Sequence, residues 1–282
     1  MHVAACVQPQ KLARLRGAAG SAHAVHAALN WAHAETIIRR QPVDVLVVDP
    51  QFESAATPRT DRIRAVRARY GALPIVVYSA LTAQTLRSLV ELGTEGVGQI
   101  ILYGLDDDPR HLRQVLELQP GILLAGQFLA LIRPALNLTP APVSAAVERA
   151  IRTPAVFHTV DDLTAAAGVP RRSLYRHLER AGLASPREVL AGARVLRAYA
   201  LLRNPGYSLE LAAQQLRFSD VDALCETMKA MVGLTPGKAR SRVAPEEFVR
   251  RLAERLLLME RNIAPTVPPG VARDAELFGD AA

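Results

Sequence analysis

The sequence predicts two folds in one chain, an open parallel α/β sheet followed by an all-helical domain. The 282 residues are enough for two hydrophobic cores, since one core usually serves about 100–200 residues. Short apolar runs alternate with amphipathic segments in residues 1–118, whereas the pattern from Val160 to Arg242 is helical throughout. Four prolines between Pro134 and Pro154 separate the two patterns and predict a boundary between domains.

Five apolar runs in residues 1–118 predict the strands of the sheet. The later runs are rich in β-branched residues and are bounded by Pro, Gly and Asp, as is typical of parallel strands buried on both faces. Because helix-like segments follow four of the runs, we expect right-handed crossovers and a doubly wound sheet. The predicted strands are Val3–Val7, Ala22–Ala27, Asp44–Pro50, Pro74–Ala80 and Gln99–Gly104. The predicted helices are Ala32–Arg40, Thr60–Tyr70, Thr82–Leu92 and Asp108–Leu118, and Gln8–Gly20 is the least defined crossover.

The chain divides into four predicted parts along these patterns. An apolar helix is expected at Ile122–Ile132, and an amphipathic helix is expected after Pro245. Both helices are candidate surfaces for a homodimer, and equally candidates for core packing. The tail from Pro265 has no apolar periodicity and is predicted to be disordered. The predicted parts are 1–118 as an α/β domain, 119–156 as a helix and Pro-rich linker, 157–244 as a helical domain, and 245–282 as the amphipathic helix and tail.

The charge of the chain favours an acidic partner. The formal net charge is +7 and the sequence pI is near 9.9, which favours nucleic acid first and an anionic membrane second. The longest apolar stretch, 121–132, is well under the roughly 20 residues that a membrane span needs. Cys6 and Cys225 have no metal-ligand spacing, and with no export signal at the N-terminus we expect a cytoplasmic protein.

Nothing in the sequence predicts an enzyme, a metal site or a cofactor. No Ser/His/Asp arrangement, phosphate-binding loop or dinucleotide fingerprint occurs. His23, His26 and His33 do not have the spacing of a standard ligand set. The sequence therefore favours a binding function over a catalytic one.

Residues Asp161–Pro186 predict a helix-turn-helix unit. A short helix runs into Gly168, which allows a tight turn, and Pro170 then stands at the start of a second helix. The second helix places leucines inward and basic residues outward, an arrangement that fits the major groove of duplex DNA. The inward residues of the unit are Val160, Leu163, Ala167, Leu174 and Leu178, and the outward ones are Arg171, Arg172, Arg176 and His177.

Residues 158–242 resemble an AraC/XylS-type DNA-binding domain along the whole length of that domain. The family's L-A-x-x-x-G turn is matched at Leu163–Gly168, with Thr164 where Ala is usual, and a second helix-turn-helix unit runs over Tyr207–Arg240. Two units at this spacing, each closing on Gly-Leu and then Ser-Pro or Thr-Pro, are a specific signal. The other matched motifs are S-L-Y-R at Ser173–Arg176, G-L-x-S-P at Gly182–Pro186, the opening at Ser208–Ala212, F-S at Phe218–Ser219 and G-L-T-P-x-x-x-R at Gly233–Arg240.

The second unit departs from the family where it should contact DNA. Arg217 stands where Gly is expected, and the aligned recognition helix, Asp220–Lys229, carries three acids against one base. The first recognition helix, Arg171–Arg180, carries four Arg against one Glu. Because phosphate neutralisation dominates affinity, we expect the first unit to anchor the protein. The second unit would contribute little or would read a cytosine amino group through an acid.

The resemblance implies a sequence-specific transcription regulator whose partner is duplex DNA. A homodimer and a contact with RNA polymerase are further partners that the sequence leaves open. The residues predicted to contact bases or phosphates are Arg171, Arg172, Ser173, Tyr175, Arg176, Arg180, Arg217, Ser219, Asp222 and Lys229.

The α/β domain is similar to a response-regulator receiver domain, which has a flavodoxin-like sheet of five parallel strands. On that resemblance Asp49 would be the phospho-acceptor and Ser79 the switch hydroxyl. Receivers also need an acidic pair that holds Mg²⁺ after the first strand, where this chain has 7–10 as Val-Gln-Pro-Gln. The lysine that closes the fifth strand is replaced by Tyr103-Gly104. A receiver-shaped scaffold that accepts no phosphate is therefore favoured.

Two alternatives to this function stay open. One is a response regulator that is phosphorylated at Asp49. The other is a protein-interaction module whose helix-turn-helix fold has lost specific DNA binding, which the acidic second recognition helix would allow.

Overall fold

A computed structural model describes residues 1–54, 57–95, 97–118 and 120–258 of the chain. Its first part is a five-stranded, fully parallel sheet in the order β2-β1-β3-β4-β5, with helices on both faces. This order is the flavodoxin-like one, and it confirms the fold class that the sequence predicts. The strands are β1 (His2–Cys6), β2 (Ala24–Ala27), β3 (Val45–Val48), β4 (Ile75–Ser79) and β5 (Gln99–Leu102), and the helices are α1 (Pro9–Ala19), α2 (Trp31–Arg40), α3 (Thr60–Arg69), α4 (Ala83–Thr94) and α5 (Pro109–Leu116).

Alternate residues of the central strands bury against the two helical layers. Val45 and Val47 pack with α1 and α5, whereas Leu46 and Val48 pack with α2, α3 and α4. Burial on both faces explains why β3 and β4 are unbroken apolar runs in the sequence. The crossover over Gln8–Gly20 forms α1, and Pro9 is tolerated there because the first turn of a helix has no use for its missing N–H.

The second part is a bundle of helices around one continuous apolar core. α10 is its centre, with most of its residues buried, and it contacts all the other helices of the bundle. The helices are α6 (Ile122–Leu136), α7 (Ala141–Arg152), α8 (Val160–Ala167), α9 (Arg171–Arg180), α10 (Pro186–Leu202), α11 (Leu209–Gln215), α12 (Val221–Val232), α13 (Pro236–Arg242) and α14 (Pro245–Leu256).

The Pro-rich stretch within 119–156 differs from the predicted linker, because it forms the end of α6 and all of α7. Pro134 lies inside the last turn of α6, and Pro142 lies in the first turn of α7. The first turn leaves N–H groups without intrahelical partners, so a proline there removes no hydrogen bond. α7 buries Val143, Val147 and Ile151 in the same core as the helices that follow. Proline content alone therefore misplaced this segment.

The two helices that the sequence offered as dimer surfaces pack against each other. α6 and α14 form one of the most extensive helix contacts in the bundle, and Phe128, Ile132, Phe248 and Leu252 are fully buried. Both helices are thus core elements. The predicted disordered tail from Pro265 lies outside the described residues. Within the part that the structure describes, every helix is too short or too polar to cross a bilayer.

The loop between α10 and α11 attaches the helical bundle to the sheet. Asn204 Nδ2 donates to the carbonyl oxygen of Val43 at 2.7 Å, and the Tyr207 hydroxyl donates to the buried carboxylate of Asp44. Arg197 lies buried beside this pair, and its burial lowers the pKa of its guanidinium to about 10, so it stays charged at neutral pH. The buried cation and the buried acid offset each other across the junction of the two parts.

Two glycines let the backbones approach at this junction. A Cβ atom on Gly206 would lie well under 3.0 Å from the backbone of Gln41, closer than real Cβ atoms come. Gly121 has a φ of +85°, and its N–H donates to the carbonyl oxygen of Ala72 at 3.0 Å. A Cβ atom on Gly121 would lie 2.5 Å from the Cβ of Ala200. Glycine is needed at residue 206 because backbone meets backbone there, and at residue 121 because of the positive φ and the close side chain of Ala200.

Candidate nucleic-acid interface

The first helix-turn-helix unit consists of α8, a short turn and α9. A capping box starts α8: Asp162 N donates to Thr159 Oγ1 at 3.2 Å, and Thr159 N donates to Asp162 Oδ2 at 2.8 Å. Gly168 ends α8 in the left-handed region with a φ of +62°. Pro170 then provides the N-cap residue of α9. The local sequence therefore fixes both the end of the first helix and the start of the recognition helix.

The recognition helix α9 is divided into an apolar face and a basic face. Leu174 and Leu178 are fully buried in the core, as the sequence predicts. The predicted DNA-contacting residues lie on the opposite side, where the four arginines are exposed and Ser173 and Tyr175 are half-buried. Arg171 Nη1 lies 3.2 Å from Asp161 Oδ1, and both side chains are largely open to solvent. Such an exposed pair contributes little to stability, so the guanidinium is available to another anion.

The second unit consists of α11, a turn and α12. Ser208 caps α11 by accepting from Leu211 N at 3.1 Å, and Asp220 caps α12 by accepting from Ala223 N at 2.7 Å. Asp220 is thus bound to its own helix. The predicted contacts Ser219, Asp222 and Lys229 are exposed, and Glu226 shares their face of the helix. Two carboxylates and one ammonium group then face outward from α12.

Arg217 adopts a backbone conformation that L-residues rarely take. Its φ is +54°. In the described part of the chain no other residue except glycine has a positive φ. The left-handed region costs a residue with a Cβ about 1–2 kcal/mol, a cost that the glycine expected at this position from the family resemblance would avoid. The side chain is exposed beside the start of α12. Strained backbone conformations are concentrated at functional sites, so the strain at Arg217 agrees with the prediction that its guanidinium contacts DNA.

The structure also shows what surrounds Asp49, the phospho-acceptor that the receiver resemblance implies. Asp49 lies after β3, and its side chain is only 1% exposed. The Lys11 ammonium of α1, 7% exposed, forms an ion pair with this carboxylate. Gln51 N also donates to Asp49 at 3.0 Å. Sequence reasoning missed Lys11, because the residue lies outside the motif positions that receivers use.

Tyr103, which replaces the receiver lysine after β5, lies beside two cations. The Lys11 nitrogen is 5.6 Å and the Arg14 guanidinium 4.9 Å from the centre of its ring. Arg14 Nη1 in turn lies 2.7 Å from the buried Asp107, which also accepts from the Tyr78 hydroxyl. Burial and the neighbouring Asp107 raise the pKa of Tyr78, so it stays a neutral donor. Two acids and two cations thus neutralise each other at this edge of the sheet.

Comparison with known proteins bears on the helical part of the chain. Residues 163–242 match the protein-family model described as a helix-turn-helix domain. No curated protein matches the chain. The full-length regulator FixJ from B. japonicum is similar over 80% of this chain and 94% of its own, at 13% identity and a TM-score of 0.36. The xylose-binding transcription activator XylR is similar over 85% of this chain and 69% of its own, at 13% identity and a TM-score of 0.33. At these TM-scores neither similarity extends to the arrangement of the whole chain.

The family match and the geometry of the helices agree on the identity of this part. The matched residues begin in α8 and end with α13, so they include the exposed basic face of α9. Residues 163–242 are therefore a helix-turn-helix domain, here joined to a flavodoxin-like, receiver-like α/β domain.

Proposed function

We propose that the protein is a sequence-specific transcription regulator that binds duplex DNA chiefly through α9. The basic face of α9 carries the proposal: four exposed arginines stand on a helix whose other face is anchored by two fully buried leucines. Recognition helices of this kind place their N-terminal residues against base edges. Arg171, Arg172, Ser173 and Arg176 would enter the groove, with Tyr175 beside them, while Arg180 would contact the backbone.

The second unit has a smaller role in this proposal. Residues 157–203 hold eight Arg and four acids, whereas 204–242 hold five bases and four acids. Arg217 and Lys229 would contact phosphates, Ser219 would support them, and Asp222 would accept from a cytosine amino group. A homodimer and a contact with RNA polymerase belong to the same proposal, although α6 and α14 are already occupied by core packing.

The α/β domain would act as a scaffold that does not need phosphorylation. The Lys11 ammonium already pairs with one oxygen of Asp49, Gln51 N donates to the other, and the described residues hold no cluster of metal ligands for Mg²⁺. This favours the scaffold over the phosphorylated response regulator. The inert interaction module is disfavoured by the four exposed arginines of α9, of which only Arg171 has an ion-pair partner among the described residues.

Selection from random duplex DNA at two salt concentrations tests the proposal. An enriched motif with two half-sites about one helical turn apart would mean that both units read bases. One short half-site would mean that α9 alone reads the sequence. Weak, strongly salt-dependent binding without an enriched motif would contradict sequence-specific binding and would favour the protein-interaction module.

Arg172→Ala should weaken binding to the selected duplex by about 1–3 kcal/mol, because a guanidinium that forks to a guanine accounts for roughly that discrimination. Fluorescence anisotropy with the selected duplex and with a variant at the contacted base measures both affinity and preference. Arg110→Ala, which removes an exposed arginine from α5, is the matched control. Unchanged affinity and unchanged preference in Arg172→Ala would rule out base reading by this residue.

Arg217→Gly should make the protein more stable and a weaker DNA binder. Glycine relieves the left-handed strain at some cost in chain entropy, so the free energy of unfolding should rise by up to about 1 kcal/mol. Loss of the guanidinium should lower DNA affinity at the same time. Arg217→Lys keeps the charge and the strain, and is the control for both measurements. If Arg217→Gly is less stable than Arg217→Lys in urea unfolding, strain at this position is not the explanation.

A further inference from the structure

A basic cleft lies between the first helix-turn-helix unit and the central helix α10. Its volume is about 420 Å³. Three arginines face one carboxylate there, that of Asp161, which pairs with Arg171 across 3.2 Å. The lining residues are His158, Thr159, Val160, Asp161, Arg171, Arg187, Leu190 and Arg194. Arg187 and Arg194 are not among the residues predicted to contact DNA, and they lie seven residues, about two turns, apart on one face of α10.

The two cations of α10 that line the cleft, Arg187 and Arg194, have no ion-pair partner in the described part of the chain. The neighbouring Glu188 is engaged by Arg255 at 2.7 Å. The guanidinium of Arg194 lies 5.0 Å from the ring centre of Phe218, and its Nε is buried with no hydrogen-bond partner in the described part. His158 Nδ1 is likewise buried and unpaired there. Buried polar atoms normally have partners, so Arg194 Nε, which is a donor, and His158 Nδ1, which donates in one tautomer, fit an anion that enters the cleft.

The cleft lies where the DNA backbone should pass. In helix-turn-helix proteins the first helix crosses the backbone, while the N-terminal end of the recognition helix contacts bases. The N-terminal ends of α8 and α9 both line the cleft, at Thr159 and Arg171. Phe218 lies just before α12, so Arg194 stands between the starts of the two recognition helices. The DNA backbone between two neighbouring major-groove segments would run over this face of α10.

We propose that the cleft binds a phosphodiester group of the duplex between the segments that the two units face. Arg187 and Arg194 would hold its oxygens, and α10 would be a third DNA-contacting element. This inference rests on the proposed function, since it needs the protein to bind DNA. A free phosphate ester has the same chemistry, and thermal unfolding with inorganic phosphate distinguishes it from the phosphodiester of a duplex.

The salt dependence of DNA binding by the full-length protein tests the proposal. Arg187→Gln removes a charge at an exposed position, and Arg194→Met removes a charge while it keeps the packing against Phe218. Each should lower the slope of log affinity against log salt by about 1, and the double variant by about 2, between about 50 and 200 mM salt. The loss should be equal on a selected and on a random duplex, because phosphates carry no sequence. Arg110→Gln, on α5, should leave the slope unchanged.

Each other outcome has a definite meaning. If the wild type binds DNA with a clear salt slope and both α10 variants keep that slope, the cleft does not contact phosphate and the inference is overturned. If the wild type shows no salt-dependent binding, the proposed function itself has failed. Thermal unfolding with inorganic phosphate at constant ionic strength separates the sources. A stabilisation of the wild type that Arg187→Gln abolishes, with unchanged DNA slopes, would assign the cleft to a free phosphate ester instead.

Discussion

Replacing Lys11 by methionine is expected to lower the free energy of unfolding by about 3–5 kcal/mol, the range found when one partner of a buried ion pair is removed. The methionine can fill the volume of the lysine stem, but it leaves Asp49 with an unpaired charge in an almost fully buried site. Urea unfolding, followed by far-UV circular dichroism, measures the change. The loss arises from the uncompensated carboxylate, so it should be much larger than the loss of packing alone.

A double-mutant cycle separates the charge from the packing. Lys11→Met combined with Asp49→Leu replaces both charges by apolar groups of similar volume, and such replacements are often neutral or stabilising. The double variant should therefore regain most of the stability that Lys11→Met loses. If the two single losses simply add, the ion pair is not coupled and the description of this site is wrong.

Mass spectrometry of the wild type with a small phosphodonor and Mg²⁺ should find Asp49 unlabelled, and labelling would instead support the response regulator.

Gly206→Ala should undo the attachment of the sheet to the bundle and lower the free energy of unfolding by about 2–4 kcal/mol. The new methyl group would collide with the backbone of Gln41 and approach the Ile38 carbonyl oxygen to 2.9 Å, and no side-chain movement can relieve a clash with main-chain atoms. The loop must move away, which breaks the hydrogen bonds of Asn204 and Tyr207 to the sheet. Calorimetry should then show two separate transitions where the wild type shows one.

Gly17→Ala is the matched control for this prediction. Gly17 lies in α1 with open space around the position of a Cβ atom, so the same substitution should stabilise the protein by about 0.5–1 kcal/mol through helix propensity. If Gly206→Ala behaves like Gly17→Ala, the close approach at residue 206 does not exist in solution. Asn204→Ala, which removes one interface hydrogen bond without a clash, should fall between the two.

The strands were predictable because their burial leaves a local pattern. Four of the five strands lie within their predicted runs, and β1 begins one residue before its run, at His2. Even the half-exposed edge strand β2 keeps enough apolar residues to be found. α7 was missed for an equally local reason. A proline interrupts a helix or begins it according to the turn in which it lies, and the count of prolines over 134–154 does not contain that information.

The recognition helix was predictable in the same way, whereas the charged contacts were not. Leu174 and Leu178 are one turn apart, so their burial on α9 follows from spacing. Lys11 and Asp49 are 38 positions apart, and Asp44 and Tyr207 are 163 apart. Only the strand order and the docking of the two parts bring these side chains together. The predicted DNA-contacting residues stay predictions until binding is measured.

The junction at Asp44 limits how such a regulator can be rebuilt. Tyr207 and Arg197 belong to the helical half, yet the carboxylate of Asp44 in the α/β half accepts from the Tyr207 hydroxyl and offsets the charge of Arg197. A chimera that joins residues 157–258 to an unrelated domain would leave Asn204, Tyr207 and the buried Arg197 without the groups of the α/β part that they contact. The two halves therefore form a matched pair, and replacing the α/β part would require compensating changes in α10 and in the loop before α11.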